Sequence, residues 1–219
     1  MNKRFALWGG FAVAMAMVIF LMVRFADEDS SVSDTNAAEV QAPVNTDLLE
    51  IREDDWYKGN PDADVIIVKY SDFQCPACRF IASMDDQLSG ELGEEVLFVF
   101  RHFPLRNFEF SQMAARYAEA AGRQGLFWRM HDLIYINQQR WSRGNAEEIF
   151  RQFAESMELD MEQFEEDLQD PEIVSKIESD FESGRSAGVR SVPSVYINGE
   201  KITNPRSVDA YRSLIESRL

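Results

Sequence analysis

The chain has 219 residues, 45% of them hydrophobic and including 16 Phe and 4 Trp, enough to fill one core with further segments attached. Its 38 acidic residues against 22 basic ones leave a formal net charge of −16. A nucleic-acid binder needs a basic footprint, so that class is excluded, and the acidity reads as a solvated surface.

In chain order, Lys3 and Arg4 precede an uncharged run, Phe5 to Val23 (FALWGGFAVAMAMVIFLMV). At about 1.5 Å per residue, a helix over that run nearly matches a hydrocarbon core of roughly 30 Å. A cleaved signal peptide would carry a shorter apolar run and a small-x-small site, and Arg24-Phe25-Ala26 is a poor one. Residues 5–23 therefore read as one uncleaved transmembrane helix. The basic residues of 1–4 keep that end cytoplasmic, and the chain after the span, opening with Asp27, Glu28 and Asp29, lies outside. The protein reads as a single-pass protein of the cell membrane, its folded part periplasmic or extracellular, where disulfides persist. Residues 24–55 read as a flexible linker, with few large apolar residues and no period.

A domain spans 56–219. VIIVKY (Val65–Tyr70) reads as a buried central strand, and Phe80, Ile81, Met84 and Leu88 as one face of the next helix. VLFVFRHF (Val96–Phe103) is a second strand, which makes a parallel βαβ unit. Residues from about 104 to 170 look helical, with Asn145 and Asp160 at N-cap positions, and Asp170-Pro171 opens a further helix. SVYINGEKIT is a hairpin turning at Asn198-Gly199. Ser207 caps a last helix with Val208, Tyr211, Leu214, Ile215 and Leu219 inward.

Cys75 and Cys78 are the chain's two cysteines, with Pro76 and Ala77 between them. Zinc would need four ligands, and His102 and His131 lack the short spacing of a zinc pair, so no metal is assigned. Haem attachment needs a His where Arg79 stands. A purely structural bridge over two residues would close almost no loop and stabilise little. The pair instead falls past a strand end at the start of a helix. There, free N–H groups and the helix dipole favour a Cys75 thiolate, with Cys78 one turn on, tucked beneath an exposed Cys75. A stabilised Cys75 thiolate is a good leaving group and makes the disulfide more oxidising. No cofactor is needed beyond the Cys75–Cys78 redox pair.

VKYSDFQCPAC, FRHFPL, the helical block, GVRSVPSVYING and the last helix resemble the DsbA-like family of thioredoxin-fold thiol:disulfide oxidoreductases, above all its membrane-tethered bacterial members. The resemblance covers Trp56 to Leu219. It implies an α/β thioredoxin fold with an inserted helical subdomain at about 104–170, here preceded by a transmembrane helix. It gives Cys75 the role of nucleophile and Cys78 that of resolving cysteine. It also implies that Pro193 is a cis-proline facing the CxxC motif, which leaves Val192 free to pair with an extended substrate. Two positions depart from the family. Lys69 stands where a buried acid is common. It either favours a thiolate as an ammonium, relays protons to Cys78 as a neutral amine, or snorkels to solvent. Ala77 replaces the His of strong oxidases. His102 and His131 read as packed residues, and Phe103, Phe108, Phe110 and Phe127 read either as core or, for some of them, as the lining of a substrate groove.

The expected activity is oxidation of cysteine pairs in secreted or envelope proteins by a monomer, with a quinone-linked membrane partner to reoxidise it. The alternatives are a reductase kept reduced by a membrane electron donor, a tethered peptide-binding or chaperone module with an inert disulfide, and a dedicated helper in metallocentre or cytochrome assembly.

Overall fold

Two β-branched and aromatic runs form the centre of the fold. Val65–Ser71 (β2) and Val96–His102 (β3) are buried along almost their whole length and pair in parallel, Ile67 opposite Phe98 and Lys69 opposite Phe100. Burial on both faces is what such runs are suited to. The structure, a computed structural model, describes Met17, residues 46–48 and residues 50–219. The chain divides into two units, Met1–Val40 and Gln41–Leu219, and the fold is that of the second. The span read at 5–23 lies outside the described residues except for Met17; among the described residues no helix is long and apolar enough to cross a membrane.

α1 (Pro76–Leu92) connects β2 to β3. β4 (Ser194–Ile197) adds antiparallel to the other side of β2, and β5 (Glu200–Lys201) pairs with β4. The turn between them has positive φ at Asn198 (49°) and Gly199 (76°), the conformation that Asn-Gly tolerates best. β1 (Trp56–Gly59) lies antiparallel on the outer side of β3, giving the order β1-β3-β2-β4-β5.

Alternation along β2 divides the core. Val65 and Ile67 meet Ile81, Met84 and Leu88 of α1, with Tyr211 and Ile215 of α8 (Val208–Glu216). Val68 and Tyr70 face the other layer, with Phe103, Tyr196 and Phe181 of α7 (Pro171–Ser186). α7 lies so close to the sheet that a Cβ on Gly184 would come within 2.7 Å of the Phe103 ring and 2.8 Å of Tyr70. The insertion contributes α2 (Ser111–Arg123), α3 (Phe127–Ile136), α4 (Gln138–Trp141), α5 (Ala146–Ser156) and α6 (Met161–Asp167). Its core of Phe127, Met130, Trp141, Phe150 and Phe164 is continuous with Phe73, Cys75 and Cys78.

Several expectations need correction. The end of the segment read as linker is packed on the domain: Leu48 is buried, and Asp55 is buried against Arg101 of β3, bonded at 2.9 and 2.7 Å. Arg52 bridges Asp55 to Asp180 of α7, and Asp180 also accepts from Lys176 and from the His102 N–H. β1 was not foreseen; its alternating half-buried and exposed residues carry no apolar run. Phe80 is 49% exposed because Ile81, its neighbour on the helix, takes the sheet-facing position. Leu219 is 57% exposed, since α8 ends at Glu216. Asn145 adopts the left-handed conformation (φ 57°) and makes no side-chain cap, whereas Asp160, Asp170 and Ser207 each accept from backbone N–H groups of the helix they open. His102 donates to or accepts from Glu119 through Nε2 at 2.7 Å, and His131 pairs with Asp132 through Nδ1 at 2.7 Å. Burial lowers the His131 pKa to about 4, which keeps its imidazole neutral.

Candidate active site: a dithiol at a helix N-terminus

β2 ends at Ser71, and the chain turns through Asp72, Phe73 and Gln74 before α1 begins. Cys75 is the N-cap, with extended φ and ψ of −76° and 121°, and Pro76 occupies the first turn, where a missing N–H costs nothing. The Cys75 Sγ accepts from the Cys78 N–H at 3.4 Å. The orphan donors of α1 therefore point at that sulfur. Cys78, one turn along, is fully buried, and both cysteines are free.

The surroundings set the two thiols apart. The Cys75 pKa falls to about 7, first through the hydrogen bond from the Cys78 thiol and then through the N–H groups of Cys78 and Ala77, against burial and the Asp72 carboxylate, which push it up. Burial raises the Cys78 pKa well above the ordinary thiol value, and the neighbouring Cys75 sulfur adds to this. Cys75 is thus the group that ionises first, and Cys78 holds its proton.

Cys75 was expected to be exposed, and only 7% of it is. What covers it is the loop before β4: the Val192–Pro193 peptide is cis, and the Val192 carbonyl lies 3.7 Å from the Cys75 Sγ. Pro193 is buried, and Asn204 Nδ2 donates to its carbonyl at 2.7 Å, holding the loop. Pro76 and Ala77 are exposed at the tip of α1. Beside this tip runs a groove of about 490 Å³ lined by Arg79, Phe80, Asp132, Tyr135 and Ile136.

Lys69 is not with the sulfurs. It is only 4% exposed, so it does not snorkel, and its Nζ pairs with Asp85 of α1 and lies 5.6 Å from the centre of the Phe100 ring. Alternation places it beneath α1 below the cysteine turn, where the nearest anion is Asp85.

Three groups that sequence reasoning passed over complete the surroundings. Asp72 is buried and accepts from Gln74 N, Ser111 Oγ and Leu105 N, at 2.7, 2.6 and 2.7 Å. Burial raises its pKa, because none of these donors carries a charge. Ser71 Oγ bonds Tyr135 Oη at 2.8 Å, and that hydroxyl pair lies beside Cys78. Gln138 donates to the carbonyls of Phe73 and Cys75. The one visible signal was Asp72 itself, a turn-forming residue in YSDFQC ahead of the helix. Among the described residues no group of three or more His, Cys, Asp or Glu side chains is placed to hold a metal ion.

A dithiol poised at a helix N-terminus, faced by a cis-proline loop at the end of the central strands, defines a thioredoxin-fold redox site. The family comparison agrees: the model described as Thioredoxin matches residues 52–217, and the chain belongs to that family. Its fold is the DsbA-like form. A thioredoxin-like oxidoreductase from Silicibacter pomeroyi is 25% identical, with a TM-score of 0.67, covering 79% of this chain and 96% of that one. The alpha-DsbA1 of Wolbachia pipientis is 19% identical, also with a TM-score of 0.67, covering 78% and 94%. Among curated proteins, a Na(+)/H(+) antiporter NhaA 1 of Mycolicibacterium gilvum is 32% identical over 170 residues, which is 74% of this chain and 27% of that protein. The chain spans about a quarter of the length of the curated relatives it matches. Cys75 and Cys78 in this setting form a dithiol whose chemistry suits thiol–disulfide exchange.

Proposed function

We propose that the protein exchanges disulfides with cysteine-containing polypeptides outside the cytoplasm, through Cys75 and Cys78, and that it works chiefly as the oxidant. The observation that carries this is the placement of the Cys75 Sγ, 3.4 Å from the Cys78 N–H and 3.7 Å from the Val192 carbonyl. In the oxidised enzyme a substrate thiolate attacks the Cys75 sulfur. The Cys75–Cys78 bond breaks, a mixed disulfide forms, and Cys78 leaves as a thiolate that takes up a proton. The second substrate thiolate then attacks the substrate sulfur of the mixed disulfide. The substrate departs with a new disulfide and Cys75 departs as a thiolate, which the N–H groups of α1 receive. Two electrons pass from substrate to enzyme. Their onward acceptor is a membrane redox partner, of the quinone-linked kind that the family resemblance implies. The uncharged run at 5–23 supports a membrane tether and an extracytoplasmic setting. Val192, next to the cis peptide bond and with its carbonyl turned to the dithiol, is the natural place for an extended substrate backbone to pair.

A reductase is the second reading, and one observation favours it. A Cys75 pKa of about 7 matches that of thioredoxin, whereas the strongest oxidants of the fold hold a thiolate near 3.5. Ala77 adds no charge to help, and Asp72 opposes the thiolate.

Equilibration of the full-length chain against glutathione decides the direction. A reduction potential between about −120 and −200 mV supports the oxidant, and one near about −270 mV assigns the reductase. Cys75→Ser abolishes exchange in either direction. If that variant kept full activity towards a reduced client, the dithiol mechanism would be wrong and peptide binding would be the function that remains.

A further inference from the structure

We propose that Gln138 is a positioning residue for the dithiol: through its side-chain amide, the helical insertion fixes the loop that presents the Cys75 sulfur to the N-terminus of α1. This rests on the thiol-exchange reading above and adds to it a residue far from the motif in sequence.

β2 ends at Ser71, so the carbonyls of Phe73 and Cys75 have no ladder partner. Gln138 Nε2 donates to both, at 2.7 and 2.9 Å, from a side chain that is itself 3% exposed. Two carbonyl acceptors can be met only by the NH₂ end of an amide, so the orientation of the group is fixed by its surroundings. The residue between those carbonyls is held as well: Gln74 N donates to Asp72, and Gln74 Oε1 accepts from Phe110 N at 2.8 Å. The Cys75 carbonyl also accepts the opening helical bond of α1, from Arg79 N at 3.2 Å. Gln138 therefore grips the N-cap residue at its peptide group, and that peptide group sets the direction of Cβ and Sγ. The grip is firm because α4 is anchored from within: Trp141 is fully buried, and its Nε1 donates to Ile134 O at 2.7 Å.

A merely structural Gln138 would satisfy two buried carbonyls and no more, and its loss would cost stability while leaving the thiols unchanged. A positioning Gln138 also holds the 3.4 Å contact between the Cys75 Sγ and the Cys78 N–H, so its loss must reach the chemistry of the sulfur.

The test is Gln138→Met in the full-length chain, with three readouts: thermal stability, the Cys75 pKa from thiolate absorbance against pH, and the equilibrium constant with glutathione. The expected result is a Cys75 pKa raised by up to about one unit, the scale of one hydrogen bond. The equilibrium shifts several-fold towards the disulfide, a tenfold change being about 30 mV. A variant that melts earlier but keeps the pKa and the equilibrium constant of the unmodified chain overturns the proposal. Should Gln138→Met fail to fold, the unmodified protein supplies the answer by NMR. The Gln138 side-chain amide signals must shift between the oxidised and reduced forms and titrate with Cys75, and signals indifferent to both overturn the proposal. An unmodified chain that exchanges no disulfide with glutathione refutes the activity itself, and the role of Gln138 with it.

Discussion

Asp55 and Asp72 are both buried aspartates beside the central strands, and they meet opposite surroundings. Asp55, just ahead of β1, is doubly bonded to Arg101 and touched by Arg52. Burial alone would push its pKa up; the two guanidinium groups win and bring it down to about 2. Asp72, just after β2, has three neutral donors and no guanidinium partner, and His102 nearby opposes the rise only weakly, so burial wins and its pKa rises. Both aspartates lie at the same end of the sheet, where β2 and β3 finish, and there Asp55 is spent on fastening the N-terminal segment and α7 to β3. Asp72, one strand away, is a less compensated acid near the reactive sulfur. The lesson is that the sign of the shift follows the charge of the hydrogen-bond donors rather than their number.

The sharpest way to break this contrast is Arg101→Met. It leaves Asp55 and Asp180 with Arg52 and Lys176 alone, and a destabilisation of about 3–5 kcal/mol is expected in urea unfolding, with the exchange equilibrium of the dithiol unchanged. A loss below about 1 kcal/mol would mean that the pair fastens nothing. Acid reads the same contact without mutation. Asp55 has a folded pKa of about 2, below its ordinary 3.8, so the unfolded chain binds the proton more readily. Its contribution is complete above about pH 4 and is lost as the pH falls through about 2, amounting to roughly 2 kcal/mol. Unfolding curves between those pH values should show this loss in the unmodified chain and not in Asp55→Asn.

Lys69→Met unpairs Asp85, whose side chain keeps some access to water, and should cost about 2 kcal/mol. The Cys75 pKa should stay where it is, because the ammonium is committed to Asp85. A shift of that pKa on removing Lys69 would restore the thiolate role that the strand position first suggested. Asp72→Asn is the counterpart at the active site. Removing a negative charge favours the thiolate, so the Cys75 pKa should fall below about 7 by roughly half a unit and the pair should become more oxidising. Titration of alkylation rates shows this directly, and an unchanged midpoint would remove Asp72 from the site. Smallest of all, Phe80→Ser touches an exposed ring and should alter stability by less than about 0.5 kcal/mol.

Much of this was legible in the sequence, for identifiable reasons. Val65–Tyr70, Val96–Phe103 and Asn198-Gly199 announce themselves because period and turn chemistry are local. The position of the cysteine pair after a strand and at a helix start followed from the same local signals. Phe80 was misplaced because two adjacent apolar residues on a helix cannot both face the sheet, and composition does not say which one does. Lys69 could be put on a central strand, but its partner Asp85 comes from the helix packed above. Asp55–Arg101 and the bonds from Gln138 join residues distant along the chain, and a Gln in YINQQRW looks like any surface helix residue. Polar residues that act by reaching across the fold leave no periodic trace.

The two edge strands of the sheet have a further bearing on the proposed work. β1 has four residues and β5 only two, so the sheet offers an outside chain very little unpaired backbone along its rims. A protein that handles partly folded polypeptides meets strands in search of a partner, and a long open rim would recruit them into aggregates. On the proposed function, such short rims would turn a client's backbone away from the sheet edges and leave it the dithiol face.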